Sequence, residues 1–524
     1  MSVLDNQPLP DDFHVYDTTL RDGSQREGLS LSVNDKLTIA RHLDDLGVGF
    51  IEGGWPGANP KDAEFFQRAR TELTLKTAQL AAFGSTRKPG GVTADDLAHL
   101  RNSGAPIATM VAKSDVRHVE RALRTTREEN LAMVRDSVAH LVAEGQRVFL
   151  DAEHFFDGWV ADAPYALEVL RVAAEAGASV LVLCDTNGGM LPNQLQDIVG
   201  AVVADGLRVG IHAHNDTACA VANSLAAIGV GATHVQGTAN GYGERCGNAD
   251  LFSVVAALEN KLDRRVLPAG RLAELGRVAH AVAEVANIAP DSHQPWVGAS
   301  AFAHKAGLHV SAIKADPDLY QHTDPAVVGN DIRLLISELA GRATIELKGK
   351  ALGLEPDGDT VLKVLERVKQ MESVGWSFEA AEASFELLLR ESMGERPQFF
   401  ELESWRVIVE HREGVVVSEA TVKLEAAGAR IIATAEGNGP VNALDNALRQ
   451  ALLELFPALA GFSLTDYKVR IVSGAHGTDA VTRVLVETSD GESEWTTVGV
   501  HENVIEASWQ ALEQSYTAGL LRHA

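Results

Sequence analysis

Between Phe13 and about Leu262 the chain repeats one pattern eight times, a short apolar run followed by an amphipathic stretch. The runs are Phe13–Tyr16, Gly49–Glu52, Thr77–Phe83, Ile107–Ala112, Arg147–Glu153, Ser179–Cys184, Arg208–His214 and Thr233–Gln236. Between them lie helical stretches such as Asn34–Leu46, Glu128–Glu144, Ala163–Ala176 and Ala218–Ile228. Glycine follows soon after each last turn, at Gly47, Gly145, Gly177 and Gly229, a usual C-terminal stop. Eight strand–helix units over about 250 residues predict an α/β fold of the (β/α)8 TIM-barrel type rather than a doubly wound sheet.

The barrel does not use up the chain. With 524 residues, more than one core is expected. From Pro268 to Gly394 the pattern is mostly helical, with helices expected at Leu272–Ile288, Thr360–Val374 and Phe378–Met393 and a hinge at Asp291–Gly298. From Glu401 it changes again. Strands at Trp405–Glu410, Val415–Leu424 and Arg430–Ala435 precede a helix at Val441–Leu455. Strands at Asp466–Ser473, Thr482–Thr488 and Glu494–Val500 precede a helix at Asn503–Ala518. A βββα unit used twice suggests two halves about a pseudo-twofold axis. The expected division is a catalytic barrel over 1–265, a helical linker subdomain over 266–400, and an α+β regulatory domain over 401–524.

A net charge of −26 argues against non-specific binding to nucleic acid or acidic membranes. Cys184, Cys219 and Cys246 are too few, and wrongly spaced, for a disulfide framework. Met1–Asp12 carries no basic-then-apolar signal pattern, and no apolar run is long enough to span a bilayer. A cytoplasmic protein is expected.

Barrel sites lie at the C-terminal ends of the strands. Those ends carry Asp17, Arg21 and Asp22 after the first strand, Glu52 at the second, and Glu153 at the fifth. Asp185 and Thr186 stand at the sixth, His212 and His214 at the seventh, and Glu244 and Asn248 after the eighth. Residues i and i+2 of a strand share a face, so His212 and His214 present two imidazoles together, a natural pair of metal ligands. Asp22 adds a hard carboxylate, and Asn248 could add an amide oxygen. Mixed N and O donors suit Mn²⁺, Mg²⁺, Zn²⁺ or Co²⁺ without ranking them. Arg21 could stabilise an oxyanion developing on a substrate carbonyl, or simply pair with Glu153 or Asp17. Glu153 is a candidate general base, Thr186 a candidate donor to a carboxylate, and Glu52 reads as structural.

Several motifs then line up in order. Tyr16-Asp17-Thr18-Thr19-Leu20-Arg21-Asp22-Gly23-Ser24-Gln25, Ile211-His212-Ala213-His214-Asn215-Asp216 and Gly241-Tyr242-Gly243-Glu244-Arg245-Cys246-Gly247-Asn248 resemble signatures of the α-isopropylmalate, homocitrate and citramalate synthase family. Gly307-Leu308-His309-Val310-Ser311-Ala312-Ile313 and Ser337-Glu338-Leu339-Ala340-Gly341-Arg342 resemble its downstream motifs. Ile51–Asp62, with Gly53-Gly54, resembles the pyruvate-using branch, as do Ala122–Asn130 and Tyr320–Pro325. The C-terminal domain resembles the family in arrangement only.

The resemblance implies an acyltransferase that condenses acetyl-CoA with a small 2-oxo acid and then hydrolyses the thioester. With pyruvate the product would be citramalate, on the way to isoleucine; with 2-oxoisovalerate it would be 2-isopropylmalate, on the way to leucine. It also implies that Asp22, His212, His214 and Asn248 hold the metal and that Arg21 polarises the keto oxygen. Thr186 and Gln25 would help bind the oxo acid. Glu153 would be catalytic, with Glu153 and His309 the two candidates for the base that deprotonates the acetyl group, and His309 and Tyr320 would be delivered from the helical segment, often from the partner of a homodimer. An effector, isoleucine under the pyruvate reading, would act at the C-terminal module, unless that module only dimerises. Substrate size is expected to be set near Phe83, Met110 and Glu153. Rival readings are a metal-dependent hydroxyacyl-CoA lyase, whose loop cysteine Cys246 matches poorly, and a catalytically dead regulator. A biotin-dependent carboxyltransferase would need a lysine at a strand end, and the runs as read offer none.

Overall fold

The computed structural model describes residues 11–472 and 480–524. The predicted N-terminal stretch is covered only at Asp11 and Asp12, and Ser473, the last residue of one predicted strand, lies outside the described residues. The chain forms two compact units. One runs to Phe302 and takes in Thr323–Asp331; the other comprises Ala303–His322 and Ile332–Ala524.

The first unit is a closed barrel of eight parallel strands: β1 (His14–Asp17), β2 (Phe50–Gly54), β3 (Gln79–Ser85), β4 (Ile107–Lys113), β5 (Arg147–Glu153), β6 (Val180–Asp185), β7 (Val209–Ala213) and β8 (His234–Gly237). β8 closes the ring by pairing with β1, Tyr16 opposite Gln236 and Asp17 opposite Gly237. The (β/α)8 barrel expected from the sequence is what the structure shows.

Local chemistry accounts for the elements. The helix Val33–Leu46 starts on a capping box between Ser32 and Asp35 and stops at Gly47, which takes the left-handed conformation at φ 99°. After β5 the helix Phe155–Glu175 starts eight residues before the predicted Ala163, with a break at Asp162 (φ −157°, ψ 80°). Pro164 cannot supply a backbone N–H, so it marks that break rather than the helix start. The predicted helix Leu272–Ile288 is divided into a 3-10 turn, Arg271–Glu274, and an α-helix, Leu275–Val285.

Strand alternation makes two apolar layers. Outward side chains pack under the helices in one large core. Inward ones form a smaller plug of Tyr16, Phe50, Ala81, Ile107, Phe149, Val180, Val182 and Cys184. Its lower end is aromatic, with His14 edge-on to Phe50 at 4.7 Å and His234 edge-on to Phe149 at 5.2 Å. With the interior filled by these side chains, a ligand cannot sit inside the barrel, and the rim at the strands' C-terminal ends is where polar side chains gather.

The second unit carries helices Arg342–Ala351, Gly358–Ser373 and Glu382–Met393 around a small core of Ile345, Val364, Val368 and Phe385. Two antiparallel three-stranded sheets follow, Phe400–Arg412, Val415–Ala426 and Ala429–Gly437, then Ser463–Ile471, Thr482–Ser489 and Glu494–His501. Each is followed by its helix, Pro440–Leu452 or Val504–Arg522, so the βββα unit does occur twice. Leu444, Leu448, Leu512 and Tyr516 of these helices share one core with Val422, Leu424, Val484 and Val486 of the sheets. Among the described residues no helix is long and apolar enough to cross a membrane.

Candidate active site

Asp22, His212 and His214 converge on the barrel rim. The Nε2 atoms of the two imidazoles lie 3.1 and 3.6 Å from Asp22 Oδ2, all three residues are buried, and the trio could hold a metal ion. Asp22 is delivered by the turn after β1, and the histidines by β7 and the bridge that follows it, where His214 pairs with Asn248. Asn248 donates its amide N–H to the Tyr242 carbonyl at 3.1 Å, while its Oδ1 is buried with no hydrogen-bond partner. An orphaned oxygen beside three convergent donors is what a hard or borderline cation would satisfy. His212 is oriented from behind. Its Nδ1 lies 2.9 Å from Gln236 Oε1, and Gln236 Nε2 donates to Asp151 Oδ1 at 2.9 Å. The amide oxygen fixes the proton on Nδ1 and turns Nε2 toward the site.

The protonation states of Asp22 and His214 suit ligation. Burial alone would raise the Asp22 carboxyl, but the Arg21 guanidinium and the two imidazoles outweigh it and hold Asp22 well below the usual carboxylate range. Burial, and then the charge on His212, bring His214 down to about 4, so it stays neutral. His212 moves the other way: burial would lower it, but the hydrogen bond to Asp22 raises it.

Arg21 sits among carboxylates. Its Nε donates to Glu52 Oε2 at 2.6 Å, Nη1 lies 3.5 Å from Asp22 and Nη2 3.9 Å from Asp151. The guanidinium carbon lies 3.9 Å over the Phe83 ring. The partners weighed from the sequence, Glu153 and Asp17, are not the ones used. Asp17 turns back to accept the N–H and hydroxyl of Thr19, and Glu153 pairs elsewhere. Glu52 is fully buried and accepts from Tyr16 Oη at 2.7 Å, Thr18 Oγ1 at 2.5 Å and Arg21. Its structural role is therefore to hold the arginine.

Above these groups opens a cleft of about 450 Å³ lined by Arg21, Gln25, Trp55, Phe83, Val111, Lys113, Leu123, Glu153, Thr186, His214 and Arg245, among others. The expected residues Arg21, Gln25, Glu153, Thr186 and His214 thus share one cleft. Thr186 Oγ1 accepts the His154 N–H at 2.8 Å, which leaves its own proton to donate. Met110 is displaced from its expected place. It packs in the outer core, because alternation along β4 sends Thr109, Val111 and Lys113 inward and Met110 outward. Asp185 serves the turn after β6, accepting from the N–H groups of Gly189 and Met190 at 3.1 Å.

Other cleft residues were not singled out from the sequence. Trp55 packs edge-on against Phe83 at 5.2 Å. Arg245 bridges to Asp216 at 2.8 Å and donates to the Thr186 carbonyl at 2.8 Å, tying three rim loops together. Lys113, whose ammonium pairs with Glu153, is the last residue of β4. The apolar run ends at Ala112, but the strand takes in Lys113 as well, so a lysine does stand at a strand end; its ammonium is committed to a carboxylate rather than standing with the metal donors. His309 and Tyr320 belong to the second unit, where their rings stack at 4.3 Å.

Comparison with known proteins agrees along the whole length. A family model described as HMGL-like matches residues 12–282, one described as homocitrate synthase post-HMGL domain-like matches 296–375, and one described as the LeuA allosteric (dimerisation) domain matches 379–520. A protein of Streptomyces coelicolor called (R)-citramalate synthase is 65% identical, with 98% of each chain covered. Its namesake in Synechocystis sp. is 49% identical over 97% of this chain and 96% of its own. A probable 2-isopropylmalate synthase of Methanopyrus kandleri covers as much, 96% and 97%, but is only 33% identical.

Proposed function

The chain belongs to the family of the (R)-citramalate synthases, and from that premise we propose that its cleft condenses acetyl-CoA with pyruvate and hydrolyses the thioester to give (R)-citramalate. The observation that carries this is the conjunction of the buried Asp22–His212–His214 donor set with a guanidinium held over the same cleft by Glu52. 2-Isopropylmalate synthases are the more distant relatives.

Asp22, His212, His214 and Asn248 would hold a divalent ion, Mn²⁺, Mg²⁺, Zn²⁺ or Co²⁺. Such an ion polarises a 2-oxo acid's keto group. Arg21 aims its guanidinium at the keto oxygen, where negative charge accumulates in the transition state. Thr186 donates its hydroxyl to the oxo acid's carboxylate, and Gln25 closes that side. Glu153 takes a proton from the acetyl methyl group, and the enolate carbon attacks the keto carbon. Trp55, Phe83, Val111 and Leu123 bound the space beside that carbon with apolar surface. An extra methylene misfitted there shifts selection by roughly 1–3 kcal/mol. His309 and Tyr320 are assigned to the same reaction, contributed across a homodimer.

The segments 1–265, 266–400 and 401–524 then act as catalyst, linker and regulator. Isoleucine is the proposed effector of the last, and the cytoplasm the proposed compartment. Inhibition would be a coupling energy between two sites.

The test is thiol release from acetyl-CoA by the purified full-length protein with Mn²⁺ or Mg²⁺. Pyruvate, 2-oxobutyrate, 2-oxoisovalerate, glyoxylate and 2-oxoglutarate are offered separately, before and after chelation. Preference for pyruvate, lost on chelation and restored by Mn²⁺, is expected. Preference for 2-oxoisovalerate would overturn the pyruvate assignment, and no thiol release with any oxo acid would overturn the reaction itself.

A further inference from the structure

Lys113 and Glu153 are the last residues of two neighbouring strands and are opposite each other in the β4–β5 register. Their side chains form an ion pair on the cleft wall, each about a quarter exposed, 24% and 26%. The backbone beneath them is tied down. Asn130 Nδ2 donates to the Lys113 carbonyl at 2.9 Å, and Ser114 Oγ donates to the Glu153 carbonyl at 2.8 Å. An ion pair this exposed contributes little to stability, yet this one faces the cleft, with its acid the proposed base. Of the other cations in the cleft, Arg21 is bound to Glu52 and Arg245 to Asp216. Lys113 alone among these three loses its partner's charge when Glu153 takes a proton.

We propose that Lys113 is a catalytic residue, whose ammonium passes from Glu153 to the thioester oxygen of acetyl-CoA as the enolate forms. The proposal rests on Glu153 being the base. The step balances as follows. The methyl C–H bond breaks and its proton goes to Glu153 Oε2. The C–H electron pair becomes the C=C bond, and the carbonyl π pair moves onto the thioester oxygen. The neutralised carboxyl no longer holds the ammonium, and the new oxyanion, one conjugated system away, does. No further reactant is needed. The cation is thus spent on a charge present only after proton transfer, which is the condition for accelerating that step rather than merely binding substrate.

The experiment compares Lys113→Met, which keeps length and removes charge, with Lys113→Arg, which keeps charge, in the full-length protein with Mn²⁺ and pyruvate. Removing one donor to a developing oxyanion costs on the order of 100-fold in kcat. Lys113→Met should show that loss with Mn²⁺ affinity and Tm unchanged, and Lys113→Arg should recover a large part of it. With trideuterated acetyl-CoA, the isotope effect on kcat should be larger in Lys113→Met than in wild type, because proton abstraction has become slower. A wild-type rate in Lys113→Met would overturn the proposal. So would a slow variant whose isotope effect is unchanged, or equal losses in both variants accompanied by weakened Mn²⁺ binding, which would mark a structural role. An inactive wild type would sink the condensation reading and this inference with it; an active wild type with an unimpaired Lys113→Met sinks the inference alone.

Discussion

Glu52→Gln isolates the charge that holds Arg21. Glu52 Oε2 accepts from Thr18 and Arg21, and Oε1 from Tyr16. A glutamine can place its oxygen toward Thr18 and Arg21 and its amide N–H toward Tyr16. Tyr16 can then accept, because its Oη already lies 2.7 Å from Thr109 Oγ1 and can send its own proton there. Each existing partner of Glu52 keeps a hydrogen bond, and the charge is lost. Arg21 stays charged, so its bond to the glutamine oxygen remains within the about 1.5–3 kcal/mol class of bonds to a charged group; what is lost is the acceptor's own charge, which weakens the arginine's tether by roughly 1–2 kcal/mol. At about 1.4 kcal/mol per tenfold, kcat/KM for pyruvate should fall roughly 5- to 30-fold with Tm little changed. Glu52→Ala offers no acceptor at all. It leaves a buried guanidinium without its nearest countercharge, a loss of about 3–5 kcal/mol, and should both unfold more easily and lose nearly all activity. Steady-state thiol release and thermal melts of the two variants decide the matter. Glu52→Gln within twofold of wild type, or Glu52→Ala no worse than Glu52→Gln, would refute the reasoning.

Two further perturbations follow from the barrel's framework. His14 is 2% exposed and brought down to about 4, first by burial and then by Arg208 and Arg147. The unfolded chain therefore takes this proton near the ordinary 6.5 while the folded one does not until about 4, so stability falls as pH drops between those values, by up to about 3 kcal/mol. Urea melts across that window should show the slope, to which the lowered His214 and His234 also contribute, and His14→Gln should reduce it by His14's share; an unchanged slope counts against the assignment. Gly54 stands at φ 142°, and a Cβ there would lie 2.4 Å from Asp62 Cγ. Asp62 holds the buried Lys36 and accepts the Trp55 N–H at 2.8 Å. Gly54→Ala should therefore destabilise by about 1–3 kcal/mol and raise KM for pyruvate as Trp55 shifts, and melting at a wild-type Tm would contradict the packing argument.

Much of this was written in local pattern. Short apolar runs, helices ended by glycine, and polar residues at the run ends specify a barrel and say which rim to search. The two-residue spacing of His212 and His214 specifies a shared face. What escaped was set by contacts between strands distant in sequence. Gln236 reads as an ordinary strand residue until closure brings it beside His212. Glu52 reads as a lone acid until the β1 turn lays Arg21 across it. Lys113 escaped for a smaller reason, since an apolar run naturally seems to end at its last apolar residue, and β4 runs one further. Met110 and Val111 show the same sensitivity to register, because a displacement of one residue exchanges cleft and core.

The eighth strand has a role in time as well as in space. A nascent chain that has emerged as far as His214 already contains Asp22 and both imidazoles, yet β1 has no second neighbour until β8 arrives to pair with it and with β7. The same strand brings Gln236, which sets the His212 tautomer, and Asn248 follows eleven residues after its end at Gly237. Translation thus delivers the orienting parts of the donor set last, so that the proposed metal site is complete only when the barrel is closed.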